Sequence, residues 1–133
     1  MITLHHLDQS RSFRILWALE ELGLDYDIKF YHRQPNFSAP NELKLIHPLG
    51  KAPILTDAEQ TIAESAVILE YLQQHYDLQA QFKPQQTSAQ QAYHYWMHYA
   101  EGSLMPLLVM QLVLTKVPQQ VPWLVRPVAN KIS

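Results

Sequence analysis

The chain has 133 residues and a mass of 15.5 kDa, with 47% apolar and 17% charged residues and a net charge of −2 from ten basic and twelve acidic side chains. That length holds one ordinary domain, or a small domain plus part of a second, and the apolar share supports a core. The charge balance excludes the broad basic field of a nucleic-acid binder, and the absence of cysteine excludes disulfide scaffolds, cysteine-based zinc sites, iron–sulfur clusters and any protein-supplied thiol.

In chain order, Ile2 to Leu7 reads as a strand. Ser10 to Leu22 carries Phe13, Leu16 and Trp17 beside Ile15, Leu19 and Leu22 at helical spacing, and Gly23 follows as a stop. Tyr26 to Phe30 alternates apolar and charged positions with period two, which predicts a second strand. Strand, helix and strand in this span form a βαβ unit, so the two strands are expected to run parallel. A short helix is predicted over Asn41 to Ile46. Ala52 to Thr56 and Thr61 to Ala63 bracket the turn-rich Asp57 to Gln60 as a hairpin. Ala66 to Tyr76 closes the unit as a helix with Val67, Ile68, Tyr71 and Leu72 on one face. The expected order β-α-β-α-β-β-α is a small α/β layer with a mixed sheet.

Residues 78–86 are polar, Gln-rich and carry Pro84, as a linker does. Thr87 with Gln90, and Ser88 with Gln91, have capping-box spacing, and a helical pattern runs on to Val117 with disturbances at Gly102 and Pro106. From Leu104 to Val117 it is apolar nearly all round, which requires burial by neighbours. The eleven residues from Leu104 to Leu114, interrupted by Gln111, are too short to span a bilayer. Pro118, Pro122 and Pro127 break up the remainder, and the chain stops at Ser133 as another helix could begin. A domain at 1–77, a linker at 78–86 and a partial helical domain at 87–133 are therefore expected. Either the chain is a fragment or another chain covers the apolar helix. All twelve acidic groups precede residue 102, and three basic groups follow it. The start MITLHHLDQS lacks the marks of a signal peptide, so a soluble, cytoplasmic protein without membrane attachment is expected.

Three motifs carry chemistry. Pro53, opening a strand in the run His47 to Leu55, cannot donate to a ladder and suggests a cis bond after Ala52. Ala52 would then offer its backbone groups to an extended peptide. Ser65 lies at a helix start, where N–H groups attract a carboxylate, and Glu64 beside it suits an ammonium group; together they would receive an α-amino-acid head. The same residues also read as a capping box with Thr61 and an ordinary N-cap. The third motif is the helix entry Ser10-Arg11-Ser12.

With Ser10-Arg11-Ser12, the run Gly50 to Leu55 and the run Glu64 to Leu72 in this order, residues 1–77 resemble the N-terminal, thioredoxin-like domain of the glutathione transferases. The run His98 to Pro106 resembles the bacterial and fungal branch. The resemblance implies a transferase that adds the thiolate of glutathione, its cosubstrate, to a small hydrophobic electrophile in detoxification, as a homodimer packed through the first long helix. Two alternatives stay open: a non-catalytic module of the same fold for binding or assembly, and a glutathione-dependent peroxidase. The resemblance implies Ser10 as the activating group, with Ser12, Arg11 or a backbone group as alternatives. The tyrosine of other classes is replaced by His5 and His6, and Asp8-Gln9 stands where Pro-Gly is more usual. Lys51 matches the position near the glycyl carboxylate, Ala52 the backbone partner of the cysteinyl moiety, Pro53 the cis-proline, and Glu64 with Ser65 the γ-glutamyl head. Tyr95, Tyr99 and Met105 are candidates for the electrophile pocket. His94, His98 and Glu101 share a helical face, yet without cysteine or a His-Glu-x-x-His pattern no metal is expected. His5, His6, His32, His47 and His75 are expected to be structural or exposed.

Overall fold

Alternation of apolar side chains builds β1, Ile2–Leu7, at the centre of the sheet in this computed structural model, which describes residues 1–120 and their side chains as far as Thr115. The strand order is β2-β1-β3-β4, with β2 at Tyr26–Tyr31, β3 at Ile54–Asp57 and β4 at Gln60–Ala63. β2 runs parallel to β1, in register from Ile2 opposite Tyr26 to Leu7 opposite Tyr31. β3 is antiparallel to β1 and to β4, so the sheet is mixed as the pattern predicts.

The period of two sorts the strand residues onto two faces. On one, Ile2, Leu4 and Leu55 pack with Ile15 and Leu19 of α1 (Ser12–Glu21) and Ile68 and Leu72 of α3 (Ser65–His75). On the other, Leu7, Tyr31 and Ile54 close around Leu43 of the short α2 (Glu42–Ile46). Each fully buried Leu or Ile contributes about 1.5–3 kcal/mol. Together they fix which end of β1 meets the start of α1.

α1 begins two residues later than its apolar spacing suggests. Gln9 takes a left-handed φ of 49°, and Ser12 N–H donates to Ser10 Oγ at 3.2 Å, so Ser10 belongs to the turn. Its far end matches expectation. Gly23, at φ 62°, donates to Glu20 O at 3.0 Å, and Leu24 donates to Leu19 O at 3.2 Å, the paired bonds of a Schellman stop. The N-cap of α3 is Glu64 rather than Ser65, and it makes no side-chain cap bond, which removes the capping-box reading of Thr61 and Glu64.

Two compact units divide the chain, Met1–Gln85 and one that begins at Gln86. The second holds α4, Thr87–Tyr99, a π-helical turn at Ala100–Leu104, and α5, Met105–Gln120. Its N-cap is Gln86, without a side-chain cap bond, so neither expected capping box forms. The disturbance expected at Gly102 and Pro106 takes the form of that wide turn. Met105 N–H reaches back to Ala100 O, and the next residue, Pro106, has no N–H to continue the ladder. Pro118 lies within α5 as far as it is described rather than ending it. Pro122, Pro127 and the expected further helix lie outside the described residues. Among those described, no helix is long and apolar enough to cross a membrane.

Candidate active site at the start of the first helix

The turn from β1 into α1 brings three side chains into one hydrogen-bonded line. Ser10 Oγ and Ser12 Oγ are 2.7 Å apart, and Ser12 Oγ is 2.9 Å from His6 Nδ1. Leu7 N–H donates to Ser12 Oγ at 3.3 Å, while Leu7 O lies 3.4 Å away as an acceptor. Ser12 is fully buried, whereas Ser10 and His6 are half-buried. Of the two hydroxyls offered by the sequence, Ser10 has the solvent access. His6, expected to be structural or exposed, bonds to Ser12 Oγ and sets its ring edge against Phe30 at 5.4 Å. Arg11 is the N-cap residue of α1.

Arg33, which the sequence pattern does not single out, fastens this turn. It donates from Nε to Asp8 O at 2.9 Å, from one terminal nitrogen to Gln9 O at 3.1 Å and from the other to Phe37 O at 2.7 Å. The planar fork of a guanidinium suits such divergent carbonyls. Asp8 also meets His32 Nδ1 at 2.6 Å on the exposed side. Only the chain reversal at Gln9 and the parallel register of β2 bring these groups together, so spacing carries no signal of them.

His5 points to the opposite face of the sheet. It is buried, with Nδ1 at 2.9 Å from Tyr31 Oη and Nε2 at 3.4 Å from Thr56 Oγ1, a structural tie across three strands. Burial, and secondarily the Lys29 cation, hold its imidazole below the usual range.

The second motif lies at the entry to β3. The Ala52–Pro53 bond is cis, as expected, with Pro53 buried, Ala52 half-buried and Lys51 exposed. Gly50, at φ 58°, precedes them. Glu64 is exposed and holds φ 74°, ψ 127°, an unusual conformation for a residue with a side chain, and Ser65 opens α3 with its side chain buried.

Tyr95, Trp96 and Tyr99 are exposed, with Tyr95 and Tyr99 stacked at 5.9 Å and Trp96 edge-on to Tyr99 at 5.4 Å. Met105 is half-buried. Among the described residues no group of three or more His, Asp or Glu is placed to hold a metal ion.

A mixed four-stranded sheet with a cis-proline before β3, and with hydroxyls in place of thiols at the entry to α1, defines a thioredoxin-like domain without a redox pair. Residues 1–74 match the family model described as the glutathione S-transferase N-terminal domain, and the chain belongs to that family. It is 41% identical over 144 residues to glutathione S-transferase 1 of Saccharomyces cerevisiae, with the whole chain aligned to 62% of that protein. To glutathione S-transferase 3 of Schizosaccharomyces pombe it is 43% identical over 139 residues, again over the whole chain and 56% of the relative. A solved glutathione S-transferase of Actinobacillus pleuropneumoniae superposes with a TM-score of 0.76 at 40% identity, covering 98% of this chain and 60% of that one. The chain thus spans about three-fifths of the length of these relatives.

Proposed function

We propose that the chain activates the thiol of glutathione and transfers it to a small hydrophobic electrophile. The observation that carries this reading is the hydroxyl pair Ser10 and Ser12, 2.7 Å apart at the entry to α1, in a family named for glutathione and in a chain with no cysteine. A free thiol near pKa 8.5 is only a few per cent thiolate at neutral pH, and each unit of depression corresponds to about 1.4 kcal/mol. Ser10 donates a hydrogen bond to the sulfur, while the positive end of α1 and Arg11 add favourable potential. The sulfur then bonds to the electrophilic carbon, and the displaced group leaves with its electron pair.

Binding is divided among the other matched residues. Lys51 meets the glycyl carboxylate, Ala52 pairs through its backbone with the cysteinyl moiety beside Pro53, Glu64 takes the ammonium group, and Ser65 takes the γ-glutamyl carboxylate. The absence of a side-chain cap on α3 supports this assignment, because first-turn N–H groups remain for an external acceptor. Tyr95, Tyr99 and Met105 contribute to the electrophile site. The division into a glutathione-binding domain at 1–77, a linker at 78–86 and a helical part at 87–133 belongs to the same reading. So does a homodimer, supported by the exposed apolar side chains of α5.

Turnover and calorimetric glutathione affinity, measured side by side, test the proposal. Ser10→Ala lowers kcat by roughly 10²-fold with little change in affinity, as for loss of a donor aimed at developing charge. The double variant Glu64→Ala and Ser65→Ala weakens affinity instead. Unchanged turnover in the first, or unchanged affinity in the second, removes the corresponding assignment.

A further inference from the structure

A chain of two hydroxyls and one imidazole has two hydrogen-bond polarities, and they differ in what Ser10 offers outward. When the His6 proton sits on Nε2, Nδ1 accepts from Ser12 O–H and Ser12 accepts from Ser10 O–H, so Ser10 presents a lone pair. When Nδ1 carries a proton, it donates to Ser12, Ser12 donates to Ser10 at 2.7 Å in preference to Leu7 O at 3.4 Å, and Ser10 has its own proton to donate outward. Ser12 N–H, at 3.2 Å, occupies one acceptor site on Ser10 Oγ in both states, and Leu7 N–H, at 3.3 Å, does the same on Ser12 Oγ. These backbone bonds keep both oxygens in line while the protons shift. The separations, 2.7 Å between the hydroxyls and 2.9 Å to the ring, are those of direct proton transfer without an intervening water.

We propose that His6 is the acceptor for the thiol proton, reached through Ser10 and Ser12. This rests on the reading above, in which Ser10 faces the glutathione sulfur. The S–H bond breaks and its proton passes to Ser10 Oγ. The Ser10 proton passes to Ser12 Oγ, and the Ser12 proton to His6 Nδ1. Both hydroxyls are regenerated, imidazole becomes imidazolium, and no oxidant or reductant is needed. The transfer leaves the chain in the polarity where Ser10 O–H donates to the new thiolate, so one event both removes the proton and creates the stabilising hydrogen bond. His6 touches no substrate atom and acts only through the serines.

The neighbours of His6 leave this role open to it. Its ring contact on β2 is the uncharged Phe30. The charged and titratable groups at this end of the sheet are Asp8 and His32, paired with each other, Arg33, bonded to the carbonyls of Asp8, Gln9 and Phe37, Arg11 and Arg14 at the cap and first turn of α1, and Lys51 and Glu64, just before β3 and just after β4. Lys29 lies over the Tyr31 ring, on the face of His5.

The test counts protons as well as thiolate. Glutathione is titrated into the full chain in buffers of different ionisation enthalpy, which gives the protons released, while ultraviolet absorbance gives the thiolate formed. The wild-type chain is expected to release fewer protons than the thiolate it forms, because His6 retains them. His6→Asn keeps a hydrogen-bonding group at the Nδ1 position but takes no proton. It is expected to form about tenfold less thiolate at neutral pH, to release one proton for each, and to bind glutathione with little change. His6→Gln provides a second variant if the first does not fold. Equal proton release and equal thiolate in wild type and both His6 variants, with Ser10→Ala still impaired, overturns the relay but leaves Ser10 as a simple donor. If Ser10→Ala is also unimpaired, the reading of Ser10 falls and the relay falls with it.

Discussion

At the scale of single residues, two positions show how local chemistry constrains the scaffold. Gly50 holds a left-handed φ of 58°, and a Cβ built there would lie 2.5 Å from Lys44 Cγ, a stem atom rather than a free chain end. Gly50→Ala is therefore expected to cost about 1–2 kcal/mol, visible as a lower denaturant midpoint at unchanged m-value. His5 is the other case. Its folded-state pKa is held down by burial and then by Lys29, so the unfolded chain binds its proton first as pH falls. The stability it contributes is complete above the unfolded value near 6.5 and is lost as pH drops toward the folded value. Denaturant midpoints measured from pH 7 to pH 5 should fall for the wild-type chain and fall less for His5→Gln.

At the scale of elements, α3 is fastened to the sheet by one carboxylate. Asp57, at the end of β3, accepts from Tyr76 Oη just past α3 and from Tyr71 Oη at 3.0 Å, and it lies 3.7 Å from the exposed Met1 ammonium. The bond from Tyr76 is the main cause of a carboxyl held below its ordinary value, and burial opposes it. The same bond pushes the Tyr76 phenol up to about 12. A depressed carboxyl stabilises the fold above the unfolded pKa near 3.9 and loses that contribution as pH falls through the folded value. Tyr76→Phe removes a hydrogen bond to a charged group, worth about 1.5–3 kcal/mol. Because Tyr76 is half-buried, the lower end of that range is expected, with most of the loss absent once the carboxyl is protonated. Chemical denaturation of both chains at neutral and acid pH checks this.

At the scale of the whole molecule, the described part of α5 exposes Leu107, Leu108, Val109, Met110, Leu112 and Val113. Exposed apolar side chains on this scale mark an interaction surface more often than a solvated one. Self-association at micromolar concentration is the expected outcome, and Leu108→Glu with Leu112→Glu, one turn apart on the same face, should shift sedimentation equilibrium toward monomer. A wild-type chain that stays monomeric and binds no hydrophobic dye would remove the proposed dimer.

Periodicity in the sequence determined the order of elements: Ile2, Leu4 and Leu7 in β1, Ile15 and Leu19 in α1, and Ile68 and Leu72 in α3 are buried, whereas Phe13, Trp17 and Val67, read into the same helical patterns, are exposed. Composition was as decisive in its way, since a chain without cysteine cannot carry a redox pair at α1. The cis bond at Pro53 and the Gly23 stop were legible because proline admits a cis bond far more readily than other residues and glycine takes a left-handed φ without steric cost. Caps were less legible. Thr87, Ser88 and Thr61 have the right spacing, but no side-chain cap forms at α4 or α3, because spacing alone does not turn a hydroxyl toward an N–H. Only the tertiary structure decided which of Ser10 and Ser12 keeps solvent access and what stands behind them. Those contacts depend on a left-handed Gln9 and on Arg33 arriving from the end of β2. Hydrogen bonds between residues brought together by a chain reversal leave no period in the sequence, whereas the burial of a face does.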